Sequence, residues 1–149
     1  MEKTISVNKK AYFEYFVEET YEAGLMLVGS EVKSIRQGNV NINDSFVFIR
    51  GTTARLINAH IAPYDKGSHF NPDAKRDRIL LLNKNEINKL RGKADQKGYT
   101  IVPLRLYFKD ALVKLEIGLC KGKELHDKRK TLKERDLKRD LQRQISEKQ

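Results

Sequence analysis

Glu14, Glu18, Glu19 and Glu22 crowd one short stretch near the start of the chain, and clustered carboxylates are the usual equipment of general acid–base catalysis. On an extended backbone, however, Glu14, Glu18 and Glu22 point to one face and Glu19 to the other, which is the wet face of an edge strand rather than a catalytic pair. A binding role suits such a carboxylate better, because it accepts hydrogen bonds from base amino and imino N–H groups. His60, His69 and His126 make no metal-ligand spacing with one another or with Cys120, the one cysteine, so zinc is not expected. Gly24, Gly29 and Gly38 fit neither a dinucleotide fingerprint nor a P-loop. No nucleophile stands beside a base. The chain therefore reads as a binding protein and not an enzyme, with no cofactor and no metal.

Its 30 Lys and Arg against 20 Asp and Glu leave a net charge of +10 in 149 residues, which points to an anionic partner. Lys33, Arg36, Lys75, Arg76, Arg78, Arg105 and Lys114 are the candidate cations of the body of the chain. Tyr12, Tyr64, His69, Phe70 and Tyr107 are candidates to stack on unpaired bases. A single cysteine excludes an intrachain disulfide, the N-terminus lacks the apolar run of a signal peptide, and no stretch is apolar enough to cross a membrane. A soluble protein of the cytoplasm is expected.

These side chains need a scaffold, and the chain offers mostly strands. From Phe13 the apolar residues alternate through Tyr15, Val17, Tyr21, Ala23, Leu25 and Leu27, with an interruption at Glu19 that implies a bulge. SFVFIRG and TARLINAHI flank a turn at Gly51. TIVPLRLYF and ALVKLEIGL flank Lys109 and Asp110, and the second sets Ala111, Val113, Leu115, Ile117 and Leu119 against Lys114 and Glu116. A short helix is expected over 30–37, stopping at Gly38. A second starts at Asn83, with Glu86 at the capping-box position and an apolar stripe of Ile87, Leu90 and Ala94. PYDKGSHFNPD, residues 63–73, reads as a loop. A small closed sheet follows, for which an OB-like β-barrel with accessory helices is one solution and other β-rich folds remain open.

The expected division places the globular unit over 1–122 and a basic tail over 123–149. Residues 121–149 hold 11 basic and 6 acidic side chains, with too few apolar ones to offset the ordering entropy. Alone, this tail is expected to be disordered. Yet good helix formers dominate it: Thr131 and Glu134 match a capping box, Glu134 and Lys138 stand in the favoured order, and Leu137, Leu141 and Ile145 share a stripe. A helix that forms on contact with a partner is the expectation.

NKKAYFEYFVEETYEAGLMLVGSEVKSIRQG, NINDSF, NAHIAPY, FNPDAKRDRILLLNKNEI, LYFKDALVKLEIGLCKGK and LHDKRKTLKERD, taken in order, resemble the small protein B family, the SsrA-binding proteins of bacterial trans-translation. The resemblance runs over 8–136. It implies an OB-like barrel and binding of the tRNA-like domain of transfer-messenger RNA (tmRNA), as a monomer in a 1:1 complex. It also implies delivery of that RNA to stalled 70S ribosomes for rescue and tagging of incomplete proteins. RNA-binding positions carried over on matching motifs are Glu22, Leu81, Asn83, Lys114, Lys121, Gly122 and Lys123. His126, Asp127, Lys128 and Arg129 match the tail segment that enters the vacant message channel beside the decoding centre. At Tyr12 and Phe13 the chain departs from the basic residue, often His, of the family pattern. Without the resemblance, the residues equally describe a generic OB-fold binder of single-stranded RNA.

Overall fold

The computed structural model describes residues 2–64 and 71–123. The expectations for His69, for Phe70 and for residues 124–149, including His126, Asp127, Lys128 and Arg129, lie outside the described residues. In chain order the elements are β1 (Glu2–Val7), α1 (Lys9–Glu14), β2 (Tyr15–Leu25), α2 (Gly29–Arg36), β3 (Val40–Asn41) and β4 (Phe46–Arg50). There follow β5 (Thr53–Ile57), β6 (His60–Ile61), β7 (Arg78–Leu81), α3 (Lys84–Ala94), β8 (Tyr99–Lys109) and β9 (Leu112–Gly122).

The long hairpin of β8 and β9 turns at Asp110, whose φ of 56° is tolerated by a residue able to hydrogen-bond locally. On β9, Leu115, Ile117 and Leu119 are fully buried, as the alternation requires. Pairing β8 to β4, β4 to β5, β5 to β7, β7 to β2, β2 to β9 and β9 back to β8 closes a ring of six strands. The closed, mainly β architecture with accessory helices is therefore present. Its thinnest seam is between β4 and β8, where one backbone pair, Val47 with Ile101, joins the strands. Inside the ring, Ile35, Ile42, Leu56, Leu80, Leu90 and Ile101 are buried in one continuous core with the residues of β9.

Two elements differ from the alternation. Phe13 and Glu14, where the alternation begins, fall in helix α1 so that the strand starts at Tyr15, and β1, which the alternation does not include, adds to β8 outside the ring. The helix exists because Asn8 caps it. Its Oδ1 accepts the Ala11 N–H at 3.1 Å, its Nδ2 donates to the Pro103 carbonyl at 2.8 Å, and its own N–H donates to Leu104 at 2.8 Å. Helix α1 thus covers the outer side of the long hairpin, with Ala11, Val102, Leu104 and Cys120 as a second small core. Gly118 makes room for it: a Cβ there would stand 2.8 Å from Leu104 Cδ1. The bulge in β2 falls between Val17 and Glu19, as the interruption implies. But β2 lies between β7 and β9 and is not an edge strand.

Helix α3 begins where the capping box places it. Asn83 Oδ1 accepts the Glu86 N–H at 2.9 Å, and the Glu86 carboxylate accepts the Asn83 N–H at 3.2 Å. Ile87 and Leu90 are the buried face. Asn83→Ala is expected to lower unfolding free energy by about 1 kcal/mol, read as a shift in the urea midpoint without a change of slope. Helix α2 starts one residue before the expected Ser30, with the Val28 N–H donating to the Glu31 carboxylate at 3.1 Å.

Candidate nucleic-acid interface

Gly24 of β2 is paired in register with Lys114 of β9 on one side and with Leu81 of β7 on the other. Lys114 is in turn paired with Tyr107 of β8. Directly opposed residues of an antiparallel sheet project to the same face, so Leu81, Gly24, Lys114 and Tyr107 form one row across the outside of the ring. Glu22 stands two residues along β2 on that same face. The fold thereby brings together three residues, Glu22, Leu81 and Lys114, that lie far apart in the chain. Gly24 is the low point of the row, and the Leu81 side chain lies across it: an added Cβ would stand 3.3 Å from Leu81 Cβ. Asn83 follows two residues after Leu81. Its Oδ1 is used in the helix cap, and its Nδ2 makes no hydrogen bond to the described residues, so it remains a donor.

Glu22 is held by two neighbours. The Tyr107 hydroxyl donates to one carboxylate oxygen and Lys109 Nζ lies 3.4 Å from the other. The tyrosine hydrogen bond, with smaller help from Lys109 and Lys114, keeps the Glu22 carboxyl below its usual range. Burial and the same hydrogen bond push the Tyr107 phenol up. Tyr107 is itself buried, with the Arg105 guanidinium 4.0 Å from its ring centre, so it orients Glu22 and does not offer a face for stacking. Tyr107→Phe is expected to raise the Glu22 pKa. Whatever depends on that charge persists above the pKa and is lost as the pH falls through it, so the variant loses it at a higher pH. Carboxyl titration followed by NMR checks this.

Several expected RNA cations are neutralised internally. Arg78 is fully buried: its Nη2 lies 2.8 Å from Glu31 Oε2, and it donates to the carbonyls of Ala59 at 2.6 Å and Ala74 at 2.9 Å. Arg76 reaches the other Glu31 oxygen at 2.7 Å. Arg105 is flanked by Glu2 at 3.3 Å and Glu116 at 3.2 Å. Lys33 lies 5.5 Å from the Tyr64 ring and Arg36 5.9 Å from that of Phe108. Half-exposed Tyr12 is on α1.

Lys121, Gly122 and Lys123 sit at the opposite end of β9 from Lys114, about 23 Å away at the usual rise per strand residue. There Gly122 is paired with Tyr15, its N–H donating to the Gly98 carbonyl at 3.1 Å, and the Lys123 N–H donates to Glu14 at 3.0 Å. Lys121 Nζ lies 5.9 Å from the Tyr99 ring and Lys123 Nζ 5.1 Å from that of Phe16. The carried-over positions therefore form two groups, one on the face around Gly24 and one at the far strand end. The role of Tyr107 escapes the sequence, because TIVPLRLYF is apolar on both faces. The exposure of Phe46 and Phe48 escapes it too, because they alternate with the equally apolar Val47 and Ile49.

Among the described residues no group of three His, Cys, Asp or Glu could hold a metal ion, and no helix is long and apolar enough to cross a membrane. Cys120 is fully buried, and burial, with the Glu18 charge, pushes its thiol up to about 11, which leaves it unreactive.

A family model described as SmpB protein matches residues 5–147. The chain is 53% identical over 147 residues to an SsrA-binding protein of Caldanaerobacter subterraneus subsp. tengcongensis, covering 99% of this chain and 93% of the relative. It is 56% identical over 140 residues to an SsrA-binding protein of Geotalea uraniireducens, covering 94% and 93%. A solved structure described as "tmRNA-SmpB: a journey to the center of the bacterial ribosome" superposes with a TM-score of 0.69 at 43% identity, over 85% of this chain and 93% of that one.

Proposed function

The chain belongs to the SmpB protein family, and from that premise we propose that it binds SsrA RNA, the tmRNA of trans-translation, and brings it to stalled ribosomes for rescue and tagging of incomplete proteins. The observation that supports this best is the outer row of Leu81, Gly24 and Lys114 with Glu22 beside it. It is a solvent-facing site with an apolar shelf, a cation for phosphate and an oriented carboxylate for base N–H groups. Asn83 adds an amide donor at its edge. Recognition of a folded, tRNA-like shape needs this kind of mixed surface, whereas sequence-blind binding needs only charge and stacking.

In this reading Lys121, Gly122 and Lys123 form a second contact at the strand end, next to the tail. His126, Asp127, Lys128 and Arg129 enter the empty message channel, where phosphate walls attract a basic segment and confinement supports a helix that isolated residues do not sustain. The protein acts as an adaptor in the cytoplasm, one copy per RNA, and performs no chemistry on it. SsrA RNA remains intact on long incubation with the protein and magnesium.

The test is affinity for SsrA RNA against an unrelated RNA of equal length at one fixed salt concentration, together with restoration of tagging in an extract depleted of its own factor. Preference for SsrA RNA and restored tagging are expected. Equal affinity for both RNAs would sink the reading in favour of a generic single-strand binder.

A further inference from the structure

The outer face continues past Leu81. Ile79, two residues back on β7, is paired with Arg55 of β5, and Arg55 with Phe48 of β4. On the other side Met26 donates its N–H to the Ile79 carbonyl at 3.0 Å. Phe48 and Met26 are each 52% exposed, Leu81 is 54% exposed and Ile79 37%. Four large apolar side chains thus stand in water next to one another with a guanidinium in their midst, while the interior core is complete without them. Contiguous exposed apolar surface of this kind marks an interaction site.

Arg55 supplies the second observation. Arg76, Arg78 and Arg105 are each bound to a carboxylate, but Arg55 makes no hydrogen bond or ion pair with the described residues. The three strands of this part of the face contain no Asp or Glu, and Asp77, just before β7, lines one hollow with Arg55 without an ion pair to it. An aromatic ring, an aliphatic shelf and a guanidinium held by no ion pair complement an unpaired nucleotide, whose base stacks on the ring and whose phosphate takes the cation.

We propose that the RNA-contacting surface extends across β7, β5 and β4, with Phe48 stacking on an unpaired base and Arg55 contacting phosphate. This rests on the reading of the Leu81–Gly24–Lys114 row as RNA-binding. The row and its extension share β7 and form one uninterrupted face, whose far edge is aromatic.

Dissociation constants for SsrA RNA over a range of salt concentrations test it, with thermal melts confirming that each variant is folded. Phe48→Leu keeps apolarity but removes the ring, and is expected to weaken binding about fivefold or more with an unchanged salt slope. Phe48→Tyr is expected to bind as the natural protein does. Arg55→Gln is expected to reduce the slope of log affinity against log salt by about one. If Leu81→Glu and Lys114→Gln weaken binding while Phe48→Leu and Arg55→Gln do not, the extension is wrong and the row stands. If Phe48→Leu and Arg55→Gln weaken binding while the row variants do not, the extension holds and the row reading fails. Loss of ribosome association by Phe48→Leu at unchanged RNA affinity would also overturn the proposal and give the face to a ribosomal partner.

Discussion

Removing residues 126–149 is expected to abolish tagging on stalled ribosomes while leaving affinity for SsrA RNA nearly unchanged. The groups proposed to grip the RNA, Glu22, Leu81, Asn83, Lys114 and Lys121–Lys123, all precede the deletion. The removed segment is rich in Lys and Arg and contains no aromatic residue, so in isolation it offers RNA little beyond screened, sequence-blind attraction. On the ribosome its situation differs. In the proposed reading, a vacant channel lined with phosphate would concentrate the charge, and the capping-box match of Thr131 and Glu134 with the Leu137, Leu141 and Ile145 stripe would lower the cost of ordering a helix there. Gel shifts and a tagging assay on the same preparation check both halves. A large loss of RNA affinity in the truncated protein contradicts the division of labour.

Replacing Arg78 with Met is expected to cost about 3 kcal/mol or more of folding stability, a large share of the net stability of a domain this size. Glu31 is only 3% exposed and keeps only the partly exposed Arg76 as its cation, and the carbonyls of Ala59 and Ala74 lose a donor. Urea unfolding measures the cost. A double variant, Glu31→Leu with Arg78→Met, is expected to recover much of it, because no charge is then left buried and unpaired. An Arg78 variant with natural stability and weakened RNA binding would instead return this residue to the RNA surface. The same cluster sets an acid limit. Burial by itself raises the Glu31 carboxyl, but hydrogen bonds from Arg76, the Val28 N–H and Arg78 outweigh it and hold the group below its usual range. The stability it contributes is fully present above the unfolded carboxylate value of about 4.3. It is lost as the pH falls through the lower folded value.

Much of the architecture is legible in the order of residue types. The period-2 run of β9, the turn at Gly51, the bulge at Glu19 and the box of Asn83 with Glu86 are local signals, each set by residues within a few positions of one another. Helix α1 is not, because its cap depends on Pro103 and Leu104, and its buried face depends on Gly118 being small enough to admit Leu104. Only the first two positions of the alternation, Phe13 and Glu14, therefore mislead until the long hairpin is in place beneath them. Of the site, Glu22, Leu81, Asn83 and Lys114 are legible as members of family motifs, but nothing in their spacing says that Gly24 sets Leu81 and Lys114 on one row.

By itself the sequence determined the predominance of strands, the positions of the main turns and caps, the basic charge and its concentration in the tail, and the family. Tertiary structure alone decided which cations are free. Arg55 and Arg78 are the same residue type and both lie in strands, yet one faces water and the other is enclosed beside Glu31, 47 residues earlier in the chain. Alternation tells which residues share a face of a strand, but where both faces are apolar it does not tell which face turns inward. That choice, and with it the availability of Phe48 and Arg55, follows from non-local pairing around the closed ring.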